Sequence, residues 1–147
     1  MQHSGRAVEV LLVGDSPADA RLTREALAQG TVVSHVTVVP DGVEAMQFLR
    51  REPPQFSSAP RPDLILLDLG LPRGNGHELL EEIKGDPGLR RIPVMVLSSS
   101  EAADDLWRVY NLHANCYIRK PVCLGDFVEV VRSIERFWLG IVTLPAW

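Results

Sequence analysis

Residues 64–76 read Leu64-Ile65-Leu66-Leu67-Asp68-Leu69-Gly70-Leu71-Pro72-Arg73-Gly74-Asn75-Gly76. A continuous apolar run that stops at turn residues reads as a strand buried on both faces, and such strands belong to parallel sheets covered by helices. Ligands of these sheets bind outside the carboxyl ends of the strands, so Asp68 stands where chemistry is done. Three further runs end alike: Val8–Val13 leads to Gly14-Asp15, Pro93–Leu97 to Ser98, and Cys116–Arg119 to Lys120-Pro121. Carboxylates, a hydroxyl and an ammonium on one edge make a phosphate and metal site.

Outward from this edge, strand and helix patterns alternate along the whole chain. The periodicity predicts β1 at 7–13, α1 at 17–29, β2 at 32–39, α2 at 42–51, β3 at 63–67 and α3 at 76–85. It continues with β4 at 93–97, α4 at 101–112, β5 at 115–119 and α5 at 123–138. Five such units predict an α/β fold with a doubly wound five-stranded parallel sheet and helices on both faces. Ser16-Pro17-Ala18-Asp19 supplies a cap hydroxyl, a proline at the first helical position and a first-turn acid for α1. Asp41 with Glu44, and Asn75 with Glu78, have capping-box spacing. Asp86-Pro87-Gly88 stops α3. The proline-rich stretch 52–62 is a loop within the fold.

Composition narrows the function. The chain has 147 residues, 46% hydrophobic and 23% charged, which suits one domain with a real core and excludes wholesale disorder. A net charge of −4 argues against nucleic acid, which asks for a basic face. No apolar stretch approaches the ~18 residues of a membrane span, and the polar start Met-Gln-His-Ser-Gly has no signal-peptide core. Cys116 and Cys123 have no CxxC or His pairing for zinc and read as reduced cytosolic thiols. A cytoplasmic protein is expected. His35, His77 and His113 lack ligand spacing and read as surface or packing residues. Trp107 and Trp138 fit either core or interface.

A carboxylate can accept a phosphoryl group as an acyl phosphate. Two anions then meet, and Mg²⁺ commonly screens them with one or two carboxylates, phosphate oxygens and water. Asp15 and Asp68 supply carboxylates, a backbone carbonyl just after Asp68 a further ligand, Lys120 a counter-charge and Ser98 a hydrogen bond. Phosphoryl transfer asks for little more than such positioning and electrostatics.

At these residues the chain resembles a response-regulator receiver domain of the CheY-like superfamily, over about residues 7–138. The resemblance implies the flavodoxin-like strand order 2-1-3-4-5. It implies Asp68 as phospho-acceptor, Asp15 and the Gly70 carbonyl as ligands of Mg²⁺ or another divalent cation such as Mn²⁺, and Lys120 as the phosphate-binding lysine before a cis bond to Pro121. Ser98 and Tyr117 become the switch pair. Segments such as Asp15-Ser-Pro-Ala-Asp-Ala-Arg-Leu-Thr-Arg-Glu-Ala-Leu27, Asn111-Leu-His-Ala-Asn-Cys-Tyr-Ile-Arg-Lys-Pro121 and Phe137-Trp-Leu-Gly-Ile-Val-Thr-Leu-Pro145 are similar to single-domain regulators paired with phytochrome histidine kinases. That implies a phytochrome-type kinase partner and a homodimer through α4, β5, α5 and the apolar tail 139–147, with the receiver domain at 1–138.

The family usually has adjacent acids after β1, where this chain has Gly14-Asp15. Weaker metal binding is the expected result. Gly14 also motivates the competing reading of a phosphorylation-independent pseudo-receiver that acts as an interaction module. A haloacid-dehalogenase-type phosphatase would place an acid two residues after the nucleophile, where Gly70 stands. A flavin carrier would need a Ser/Thr-rich first loop. The expected protein is therefore a phospho-acceptor, not an enzyme beyond its own phosphorylation and dephosphorylation, with no nucleic-acid or membrane partner.

Overall fold

Pleat alternation on the strands decides what each helix covers. The computed structural model describes residues 7–30, 32–71, 76–99, 103–121 and 123–145. The chain runs β1 (Val8–Val13), α1 (Pro17–Ala28), β2 (Ser34–Val39), α2 (Gly42–Leu49), β3 (Leu64–Asp68) and α3 (Gly76–Gly85). It continues through β4 (Val94–Ser98), α4 (Ala103–Asn111), β5 (Cys116–Arg119) and α5 (Leu124–Ile134), closing on a π-turn at Glu135–Leu139. The sheet has the order β2-β1-β3-β4-β5 with every pairing parallel. This is the doubly wound architecture expected from the sequence.

Leu11, Val13, Ile65, Leu67, Val94 and Val96 point to one side and pack with residues of α2, α3 and α4. Val10, Leu12, Leu64, Leu66, Met95 and Leu97 point to the other and pack with α1, α5 and the π-turn. The period of two explains why Leu64–Leu67 must be apolar throughout: alternate residues serve opposite cores. Burying each such side chain stabilises by about 1.5–3 kcal/mol.

The helix starts follow the capping signals. Ser16 Oγ accepts the Asp19 N–H at 3.2 Å, and Asp41 Oδ1 accepts that of Glu44 at 2.8 Å. The Asn75 cap and residues 100–102, just ahead of α4, lie outside the described residues. The 52–62 loop is tied to the core by Phe56, whose ring meets Phe48 edge-on at 5.5 Å.

Two expectations need correction. Helix α5 was expected to run to 138, but regular α-helix ends at Ile134. The wider π-turn that follows buries both Glu135 and Leu139. A cis bond was expected at Lys120–Pro121. Among the described residues the cis bond is Pro53–Pro54 instead. Trans is the lower-energy X–Pro form by ~0.5–1 kcal/mol, and Lys120 reaches its partners without the cis form. Trp107 is exposed, whereas Trp138 is partly buried against the core.

Candidate functional site

Parallel register carries the ends of β1, β3, β4 and β5 to one edge. Val13 lies beside Leu67, Asp68 beside Leu97, and Ser98 beside Arg119. One residue further, the Lys120 N–H donates to the Ser98 carbonyl at 2.7 Å, which extends the β4–β5 ladder to the lysine. Asp68 follows Leu64 and Leu66 in the pleat and so faces the α1–α5 side. There the Lys120 Nζ lies 2.7 Å from Asp68 Oδ2. The same ammonium lies 2.7 Å from Asp19 Oδ2 on the first turn of α1.

The three side chains sit in a narrow cleft lined also by Leu12, Gly14, Ser16, Leu97 and Phe127. Side-chain exposures of 19% for Asp68, 20% for Lys120 and 27% for Asp19 place the cluster in partly dried surroundings. Burial opposes the lysine's charge, but the hydrogen bonds and charges of Asp19 and Asp68 outweigh it and hold Lys120 above the ordinary lysine range. The ammonium is a fixed positive charge at any physiological pH.

The remaining expected residues take different positions. Asp15 is exposed beside Gly14, and the exposed Gly70 donates its N–H to Asp68 Oδ1 at 3.0 Å. Ser98 is buried at the end of β4 and follows Val94 and Val96 in the pleat. Tyr117 packs partly buried against the α2–α3–α4 core, and its N–H donates to the Tyr110 hydroxyl at 3.2 Å. Among the described residues no cluster of three or more His, Cys, Asp or Glu forms a metal cage. An octahedral, water-rich divalent cation needs none: one or two carboxylates and a carbonyl suffice. Asp68, with oxygens of several lone pairs, the exposed Asp15 carboxylate and the exposed Gly70 backbone fit that donor set.

Gly14 is not imposed by packing. A Cβ there would meet Asp68 Cβ at 3.4 Å and Oδ2 at 3.8 Å, ordinary contact distances. Asp19 is the cleft residue that the sequence reading does not bring to the site. In the sequence it reads only as a first-turn acid, although it lies four residues beyond Asp15 on the helix that begins at the site edge.

Comparison with known proteins agrees with this fold. The response regulator receiver domain family matches residues 10–132. Response regulator Rcp1 of Synechocystis sp. strain PCC 6803 is 48% identical over 137 residues, covering 93% of this chain and 92% of the relative. The phosphorylated cyanobacterial phytochrome response regulator RcpA superposes with a TM-score of 0.92 at 51% identity, over 96% of this chain and 100% of that one. The Mn²⁺-bound form of Rcp1 gives 0.90 at 47% identity, over 95% and 99% of the two chains. With a family match over most of its length and a relative this similar, the chain belongs to the response regulator receiver domain family.

Proposed function

We propose that this response regulator accepts a phosphoryl group on Asp68 from a phytochrome-type histidine kinase. The observation that carries the reading is the Lys120 ammonium held 2.7 Å from Asp68 Oδ2 at the carboxyl edge of the sheet. In the transfer, an Asp68 carboxylate oxygen bonds to phosphorus as the P–N bond of the kinase phosphohistidine breaks. The freed imidazole nitrogen takes a proton. Lys120 meets the added negative charge. Asp68, Asp15 and the Gly70 carbonyl hold a divalent cation, Mg²⁺ or Mn²⁺, whose charge screens the incoming phosphoryl oxygens. The kinase assignment draws on the phytochrome response regulator RcpA.

Ser98 and Tyr117 form the switch of this reading. Phosphorylation shifts an existing equilibrium toward the state in which the Ser98 hydroxyl meets the phosphoryl group and Tyr117 repacks the α4-β5-α5 face. The protein is cytoplasmic, catalyses nothing beyond its own phosphorylation and dephosphorylation, and signals by protein contact. Exposed Phe137 and Ile141, beside a groove formed by Ile118, Val130, Ile134 and Trp138, offer an apolar surface for a homodimer.

Intact mass after incubation with acetyl phosphate tests the reading. A metal-dependent phosphoryl adduct in the wild type and none in Asp68→Asn is expected. Gly14 favours a second reading, a module that acts without phosphorylation. No adduct from acetyl phosphate or from a phosphorylated phytochrome kinase would select it.

A further inference from the structure

Asp19 has a carboxylate that its helix does not use. Its backbone N–H is capped by Ser16 Oγ at 3.2 Å, and its carbonyl accepts the Thr23 hydroxyl at 2.8 Å. Those bonds fulfil its helical role through the backbone alone. A first-turn acid gains from the helix dipole while pointing at water, so this does not explain why the side chain turns into the cleft. There Asp19 Oδ2 takes one ammonium hydrogen of Lys120 at 2.7 Å, and Asp68 Oδ2 takes another at the same distance.

An ammonium has three donors. Asp68 is the group whose shape and charge change when it is modified, and an anchor that changes cannot hold the lysine by itself. Asp19 is fixed on α1 and does not react. We infer that Asp19 is the positioning residue for Lys120: it keeps the ammonium in the cleft while the lysine's other contact passes from Asp68 to the phosphoryl oxygens. It also brings a carboxylate to a site in which Gly14 supplies none. This inference rests on the reading of Asp68 as phospho-acceptor.

Two measurements test it. The first is a double-mutant cycle on the rate of phosphorylation by acetyl phosphate, using wild type, Asp19→Asn, Lys120→Ala and the double variant. Asp19→Asn keeps the backbone bonds of α1 and nearly the same shape, and thermal melts check that it folds. It should slow the reaction on the order of tenfold while Lys120 is present and leave the Lys120→Ala background unchanged, the signature of a residue acting through its neighbour. Asp19→Glu should recover part of the loss. Equal rates for wild type and Asp19→Asn, or the same loss in both backgrounds, would overturn the inference.

The second measurement needs no phosphorylation. Lysine ammonium signals in ¹H–¹⁵N spectra at low temperature are visible only where solvent exchange is slowed. A wild-type signal that disappears in Lys120→Ala belongs to Lys120, and it should be lost in Asp19→Asn. Persistence of that signal in Asp19→Asn, or its absence from the wild type, would overturn the inference. Should the wild type take no phosphoryl group, the receiver reading fails and the ammonium signal still decides the role of Asp19.

Discussion

Glu135 Oε1 accepts the backbone N–H of Val32 at 3.1 Å, tying the π-turn to the loop between α1 and β2. The glutamate is only 4% exposed, so the bond satisfies a carboxylate that water barely reaches. Gly30 sits against the same group: a Cβ there would lie 2.6 Å from Glu135 Cδ. Glu135→Ala strands the Val32 N–H and should cost about 1–3 kcal/mol. Gly30→Ala should cost a similar amount by pushing the carboxylate off its partner. The pair should not add, because removing Glu135 also removes the clash. Urea unfolding of both single variants and the double would measure a coupling of about 1 kcal/mol or more; strict additivity would exclude this account.

Lys84 does structural work that its sequence position on α3 does not announce. Its ammonium donates to the carbonyls of Arg90 and Ile92 at 3.0 and 2.8 Å and to Asn115 Oδ1 at 3.1 Å. The Asn115 side-chain oxygen also accepts the Val94 N–H, so one lysine clamps the starts of β4 and β5. Lys84→Met keeps the aliphatic stem and loses the clamp, and should destabilise by about 1–2 kcal/mol. Burial lowers the Lys84 ammonium to about 8 from its ordinary 10.5. The folded chain releases this proton before the unfolded one, so its contribution to stability rises with pH from about 8 to 10.5. Cys116 acts oppositely: burial raises its thiol from 9.0 to about 11, so its contribution falls across that range. Below 9 the lysine therefore acts without the thiol. The urea midpoint should rise between about pH 8 and pH 9 in the wild type and much less in Lys84→Met; equal rises would sink the assignment.

The sheet was readable in advance because its cause is local. Leu64–Leu67 can be apolar at every position only if both faces are covered, and the strand ends then put Asp68 and Lys120 on one edge. The caps at Ser16 and Asp41 were equally legible, since each acts within one turn. What stayed hidden depends on residues far apart in the chain. Asp19 meets Lys120 across 101 positions, and Glu135 meets Val32 across 103. Neither separation leaves a periodic trace. The placement of Ser98 was half legible: its strand end follows from the sequence, but its side follows from pleat parity counted against Val94 and Val96.

Gly14 leaves room for an acid, since a Cβ there makes only ordinary contacts with Asp68. Gly14→Glu should therefore fold normally and add negative charge beside Asp15 and Asp68, the proposed cation ligands. The attraction between a carboxylate and a divalent cation, screened by intervening water, should tighten Mg²⁺ or Mn²⁺ binding roughly fivefold, about 1 kcal/mol. Metal titration followed by the nearby side-chain signals would read this directly. Equal affinities would mean that the charge lost at position 14 is already made up within the site.

The C-terminal tail packs on the core, and the proposed dimer contact can be tested apart from that packing. Leu139 is 2% exposed and Leu144 packs partly on the α1–α5 core, so deleting 139–147 removes core contacts along with any interface. Phe137 and Ile141 are 51% and 70% exposed and contribute little to that core. Phe137→Ser with Ile141→Glu should leave thermal stability within about 0.5 kcal/mol, the usual range for surface changes, yet shift the mass by light scattering from that of the proposed dimer to that of a monomer. Deletion of the tail should shift the mass and lower the melting temperature together. An unchanged mass in the double substitution would show that these side chains do not hold two copies together, whatever the deletion does.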